Sequence, residues 1–153
     1  MVDEDERSVT LMDINPATRG HALVVPRRHA RDLLEIEPAH LEATIVAAQR
    51  LAWKMPERLG ADGVNVLNSC GRAAWQTVLH FHLHLIPRYD GDPLRLPWTP
   101  AGGDAEEIAE AAAANAATRI SASPDTVPAF GGAPLGPSER FAQRGVQGEV
   151  DGN

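Results

Sequence analysis

At 153 residues and 43% hydrophobic content, the chain can bury one core but hardly two, which predicts a single small domain. A formal charge of −7 argues against a nucleic-acid backbone as the main partner and leaves the recognition of anions to local groups. The lone Cys70 excludes an internal disulfide and a Cys-x-x-Cys metal knuckle. No apolar stretch is long enough to span a bilayer and no signal-peptide pattern opens the chain, so a soluble, cytoplasmic protein with no membrane partner is expected.

In chain order, the acidic run Asp3 to Glu6 reads as a solvated terminus. Ser8 to Met12 and Ala22 to Val25 are β-rich, and the Asn15-Pro16 and Gly20 turn signals between them predict an antiparallel pair. Pro38 marks a helix start; Leu41, Ile45, Ala48, Ala52, Met55 and Leu59 then recur at steps of three and four, giving an amphipathic helix that ends at Gly60. His40 is expected on its exposed surface. An interior proline costs ~3 kcal/mol, so Pro56 predicts a kink or an early stop near Lys54. Val64 to Ser69 is a third strand, Cys70 to Trp75 a loop with a partly buried thiol, and Val78 to Ile86 a last strand.

Beyond Pro93 the chain changes character. Pro93, Pro97 and Pro100 surround Trp98 in a stretch unsuited to a sheet interior, for which a place over the site or over a neighbouring subunit is open. Residues 104 to 120 are Ala-rich, with Glu106, Glu107 and Glu110 early and Arg119 late, as suits a helix and its dipole. Residues 121 to 153 hold four Pro and six Gly among 33 residues and predict a disordered tail. The expected organisation is a domain over 1–100, a helix over 101–120 and the tail over 121–153. The fold class is α+β, an antiparallel sheet with the long helix on one face.

The last strand carries the most pointed signal. His80, His82 and His84 take alternate positions and Phe81, Leu83 and Leu85 the others, so an extended backbone puts every imidazole on one face, ~7 Å apart, and the apolar residues in the core. Histidines that merely cover a sheet are disfavoured, because each half-buried ring needs a hydrogen-bond partner. A metal site is disfavoured because Asp90, the nearest downstream carboxylate, lies beyond the Pro87-Arg88 break and no second His/Asp/Glu cluster completes the ligands. The third reading makes one imidazole a nucleophile whose neighbours fix its tautomer, and the flanking residues favour it.

The alternation over 80 to 86, preceded by Gln76-Thr77-Val78 and followed by Pro87-Arg88, resembles the histidine-triad (HIT) family of nucleotide hydrolases and transferases. A second segment, Met12 to His29, resembles the family's strand-loop-strand, and the likeness runs from about Val9 to Trp98. It implies a HIT-like antiparallel sheet packed on one helix, a nucleotide as substrate and a homodimer. It also implies cleavage at the α-phosphate of a nucleoside phosphate derivative, adenosine first, through a nucleotidyl-histidine intermediate. His82, the middle histidine, would be the nucleophile; His80 and His84 would orient it or contact phosphate, and His21 would be a further partner of the triad, a role shared with that of a satisfied core histidine. Asp13 matches the residue that accepts the ribose hydroxyls, although a turn-forming Asp before Asn15-Pro16 explains it too. Ser69, Gln76 and Thr77 fall where relatives present amide, amide and hydroxyl groups to the phosphates.

Two departures stand out. Trp75 sits where many relatives have Gly, so the leaving-group side is narrowed or roofed, or the indole stacks on the leaving group, or it packs on nearby Pro and Ala. Some members bind structural zinc through two cysteines and two histidines. Here His29 and His80 would be the histidines and the cysteines are missing, which implies that the lineage lost the metal or that the chain begins downstream of the natural start. No cofactor and no metal is expected. A nucleotide-binding regulatory module with little turnover is the alternative, and a metal-dependent enzyme comes third.

Overall fold

The acidic run at the start is exposed, as expected, and its first two residues form a short strand that the sequence reading did not foresee. In the computed structural model, which describes residues 2–95 and 97–116, Asp3–Glu4 (β1) pairs antiparallel with Ser8–Met12 (β2), Asp3 opposite Thr10 and Glu4 opposite Val9. The run is held because cations from distant segments meet it: Lys54 Nζ lies 3.1 Å from Asp3, an Arg50 nitrogen 2.6 Å from Asp5, and Arg27 pairs with Glu4. Exposed pairs contribute only ~0–1 kcal/mol each. The tighter hold is the turn itself, where Asp5 Oδ1 accepts the Arg7 and Ser8 amides and the Ser8 hydroxyl. The expected helix end at 117–120 and the expected tail at 121–153 lie outside the described residues.

β2 runs antiparallel to Ala22–Pro26 (β3), in register from Ser8 opposite Pro26 to Met12 opposite Ala22. The connecting turn opens on Asp13, whose Oδ1 accepts the Asn15 amide at 2.7 Å, and closes on Gly20 at φ +89°. A Cβ there would lie 2.5 Å from Leu59 Cδ1 and 3.2 Å from Pro87 Cγ, so any other residue would strain the backbone and push the Leu59 side chain aside.

Helix α1 spans Pro38–Leu59 and passes through Pro56 without the expected stop near Lys54. The proline sits in the last turn, so the missing amide leaves one ladder bond unmade. The end is closed beyond it: Gly60, in the left-handed conformation, donates to the Pro56 carbonyl at 3.0 Å and Ala61 to that of Met55 at 3.5 Å. The helix buries Thr44, Ala47, Ala48 and Met55. Ile45, placed on the apolar face by spacing, remains 45% exposed, while His40 is half-buried and not on the open surface as expected; its Nδ1 is buried without a partner.

The third long strand is Gly63–Leu67 (β4), ending two residues earlier than expected, and the last is Leu83–Arg88 (β5). Sheet order is β1-β2-β3-β5-β4, antiparallel throughout. Phe81, Leu83 and Leu85 pack with Ala22 and Val24 against Ala48 and Met55 of α1. By strand alternation His84, opposite Leu23 and Leu67, lies on the other face. The histidine run is a strand only from Leu83, whereas sequence put its start at Val78. Pairing with β3 stops at Val24 opposite Leu83, because β3 runs into Pro26, which has no amide to donate. The alternating burial nevertheless continues back to His80, since Phe81 donates its amide to the Ala30 carbonyl at 2.7 Å.

The described residues fall into two compact units, with the division between Asp92 and Pro93. In the second, helix α2 spans Ala105–Ala116 and is exposed along its length. Its start is capped by Asp104, whose Oδ1 accepts the Glu106 and Glu107 amides at 2.9 and 3.0 Å.

Candidate active site

The sheet face opposite α1 carries a chain of imidazoles whose proton positions follow from its two ends. His82 Nδ1 is 2.8 Å from the His80 carbonyl, an acceptor only, so Nδ1 holds the proton and Nε2 the lone pair. His84 Nε2, 3.2 Å from His82 Nε2, must then be the donor. His84 Nδ1 is left as acceptor and is met at 3.0 Å by His21 Nε2, which donates. His21 Nδ1 in turn accepts the Ala17 amide at 3.1 Å. A carbonyl at one end and an amide at the other therefore agree on a single set of neutral tautomers. Burial favours the same state: it is the main cause that lowers His84 to about 4, aided by His82 and His21 and opposed by Asp13, and it lowers His21 against the pull of Asp13.

Asp13 serves two ends at once. Oδ1 holds the turn at Asn15, while Oδ2 faces the rings, 3.5 Å from His21 Nδ1 and 3.9 Å from His84 Nδ1. Asp13, His21 and His84 offer ligand atoms within 4.8 Å of one another, but the His21–His84 hydrogen bond already uses the facing nitrogens. His80 points elsewhere in the network, its Nε2–H donating to the Pro26 carbonyl at 3.1 Å.

The loop after β4 closes the other end. Ser69 is buried and Thr77 exposed. Gln76, expected to offer its amide to phosphate, is buried with that amide in use: Oε1 accepts the Gly71 amide at 2.7 Å, and Nε2 donates to the Arg31 and Val78 carbonyls at 2.7 and 3.2 Å. Trp75 takes φ 67° and ψ 18°, a left-handed backbone that costs a residue with a Cβ about 1–2 kcal/mol. Sequence reasoning missed two participants. Asn68 Nδ2, just past the end of β4, donates to the His82 carbonyl at 2.9 Å, and the Ala17 amide sets the His21 tautomer. Asn at a strand end was a usable signal; a backbone amide carries none.

A HIT domain family model matches residues 1–91. The chain belongs to the HIT family. An uncharacterised HIT-like protein of Methanocaldococcus jannaschii is 40% identical over 92 residues, 60% of this chain and 70% of that protein. One from Mycobacterium tuberculosis is 42% identical over 91 residues, 60% of this chain and 63% of its own length. Among solved structures, a HIT family member from Bacillus subtilis shares 30% identity at a TM-score of 0.70, over 80% of this chain and 88% of that one. A zinc-bound histidine triad family protein from Mycobacterium smegmatis shares 39% identity at a TM-score of 0.60, over 76% and 86%. The antiparallel sheet and helix thus form a HIT fold.

The zinc site that the resemblance to some members implies, with His29 and His80 as its histidines, does not fit the residues present in this HIT protein. His29 and His80 are neighbours, with ring centroids 4.9 Å apart, but each commits Nε2–H to a carbonyl, His29 to Leu79 at 3.0 Å and His80 to Pro26. Among the described residues no Cys, Asp or Glu joins them to complete a tetrahedral site.

Proposed function

We propose that this HIT protein cleaves nucleoside phosphate derivatives, adenosine derivatives first, at the α-phosphate, with His82 as covalent nucleophile. The observation that carries the reading is the tautomer set, which leaves His82 Nε2 as an unprotonated nitrogen on the open face of the sheet with the His80 carbonyl bracing its other nitrogen. A neutral imidazole needs no general base to attack phosphorus. Nε2 forms the bond to phosphorus as the bond to the leaving group breaks, and the leaving group departs with that electron pair and takes up a proton. Water then attacks phosphorus, loses a proton, and the P–N pair returns to Nε2. His84 Nε2–H, which faces the lone pair in the free protein, is placed to donate to a phosphoryl oxygen or the leaving atom once substrate arrives. Asp13 Oδ2 would accept the ribose hydroxyls, Ser69 and Thr77 would face the phosphates, and Gln76 would hold the loop that carries them. Rapid quenching with an α-labelled adenosine phosphoramidate or dinucleoside polyphosphate is expected to leave label on the protein in an acid-labile, alkali-stable form. Binding without label or turnover would instead make it a regulatory nucleotide-binding module.

A homodimer belongs to the same reading. Ile45, Val46 and Trp53 on the outer side of α1, and Val66 on the neighbouring edge strand β4, are 45, 46, 68 and 49% exposed. Ile45, Val46 and Val66 line one cavity of about 370 Å3 with Ala48, Gln49 and Ala52. A second copy would cover this apolar surface and the unpaired edge together. Trp53→Glu with Val66→Asp should convert a dimer to a monomer in sedimentation analysis; an unchanged mass would place the interface elsewhere.

A further inference from the structure

We propose that Trp75 sets leaving-group specificity, its indole forming a platform on which a planar ring of the leaving group stacks; this rests on the proposed cleavage at the α-phosphate. Among the described residues Trp75 is the one non-glycine residue with positive φ. It closes the short turn Arg72–Ala74, its amide bonded to the Arg72 carbonyl at 3.0 Å. Glycine takes that backbone without strain, so the position holds the bulkiest side chain at a conformational disadvantage. Among the described residues no ring stacks on it, and it is 63% exposed. Packing on its neighbours leaves most of the indole uncovered. An indole kept in water against local preference is accounted for by a ligand that covers it.

Topology says which part of the ligand. The imidazole chain has Asp13 and Ala17 at its His21 end, and His82 at the other. The loop that carries Trp75 is joined to the His82 end, through Asn68 Nδ2 to the His82 carbonyl at 2.9 Å and through Gln76 to the Arg31 carbonyl at 2.7 Å. A nucleotide with its ribose at Asp13 and its phosphorus at His82 Nε2 therefore extends its leaving group toward that loop. The buried Gln76 immediately follows Trp75, and its amide bonds to Gly71, Arg31 and Val78 fix the backbone beneath the indole, so stacking costs little ordering. The leaving groups that gain are flat and aromatic, such as a second nucleobase or an aryl-bearing amine; compact ones gain nothing.

The test compares two substrates on one enzyme: adenosine 5′-phosphoramidate, which releases ammonia, and the adenosine phosphoramidate of tryptamine. Trp75→Ala should lower kcat/KM for the tryptamine compound about tenfold or more and change that for the ammonia compound less than about threefold. Trp75→Phe should restore most of the preference. Trp75→Gly should lose it while melting at or above the wild-type temperature, which separates stacking from a folding role. An equal effect on both substrates, or an unchanged ratio in Trp75→Ala, overturns the proposal. Turnover of neither compound by wild type would defeat the proposed cleavage itself, and this inference with it; turnover of the ammonia compound with no preference to lose defeats this inference alone.

Discussion

Replacing His82 by Ala or Asn should lower turnover by roughly three orders of magnitude or more while nucleotide binding survives. The reason lies in the tautomers: of the imidazoles on this face, His82 is the one whose lone pair is not directed at a fixed protein amide or ring donor that must stay in place for the network to stand. Among the described residues its partner there is His84 Nε2–H, which substrate can divert. His84 Nδ1 and His21 Nδ1 are both occupied as acceptors, by His21 Nε2–H and the Ala17 amide. Ribose and phosphate contacts are assigned to Asp13, Ser69 and Thr77, so truncating His82 removes bond formation and leaves the binding groups intact. His84→Asn should reduce the rate less, because it takes away a donor and not the nucleophile. Steady-state kinetics beside calorimetric binding of an unreactive adenosine monophosphate analogue checks both halves. A His82→Ala protein that turns over at the wild-type rate, or label that maps to another residue, refutes the mechanism while leaving the fold untouched.

The period-2 pattern of the histidine run was legible because burial alternates whether or not a ladder forms: Phe81, Leu83 and Leu85 are buried and the histidines half-buried from position 80 onward. Where the ladder begins was not legible, since it depends on Pro26 falling opposite the run, a register that only the folded sheet sets. The same limit applies to the acidic start. The run of carboxylates is solvated as it reads, but nothing local shows that Arg27, Arg50 and Lys54 are brought to it from other elements. The early stop offered as one outcome of Pro56 did not occur for a different reason: the interior cost of proline assumes a helix that continues, and Gly60 ends this one a turn later. At the site, residue types that carry chemistry were visible, and the division of labour among them was not. Gln76 has the amide expected at the phosphates but spends it on the loop, whereas Asn68 makes the contact that holds the His82 backbone.

Stability should fall by about 2 kcal/mol between pH 7 and pH 5 on account of His84 alone. Burial, with His82 and His21, brings this histidine down from 6.5 to about 4 in the folded protein, against the opposing carboxylate of Asp13. In the unfolded chain it takes a proton as pH drops through its ordinary value near 6.5. Over the window from 6.5 to about 4 the unfolded state therefore binds a proton that the folded state refuses, so unfolding becomes easier as pH falls. The contribution is complete above the window and levels off below it. His21, also lowered by burial, acts in the same direction. Asp3 and Asp5, whose pKa values are lowered by Lys54 and by the Arg7 amide respectively, respond only as pH falls toward and below their usual 3.8, outside this range. Urea unfolding at pH 7 and pH 5 should thus show a loss in wild type that His84→Gln, which cannot titrate, lacks to the extent of about 2 kcal/mol. Parallel losses in the two proteins would mean that His84 is already protonated in the fold. Its Nδ1 would then carry a proton and His21 Nε2 could not donate to it, so the tautomers assigned to His84 and His21 would fail, whereas His82, whose Nδ1–H is fixed by the His80 carbonyl, would keep its lone pair on Nε2.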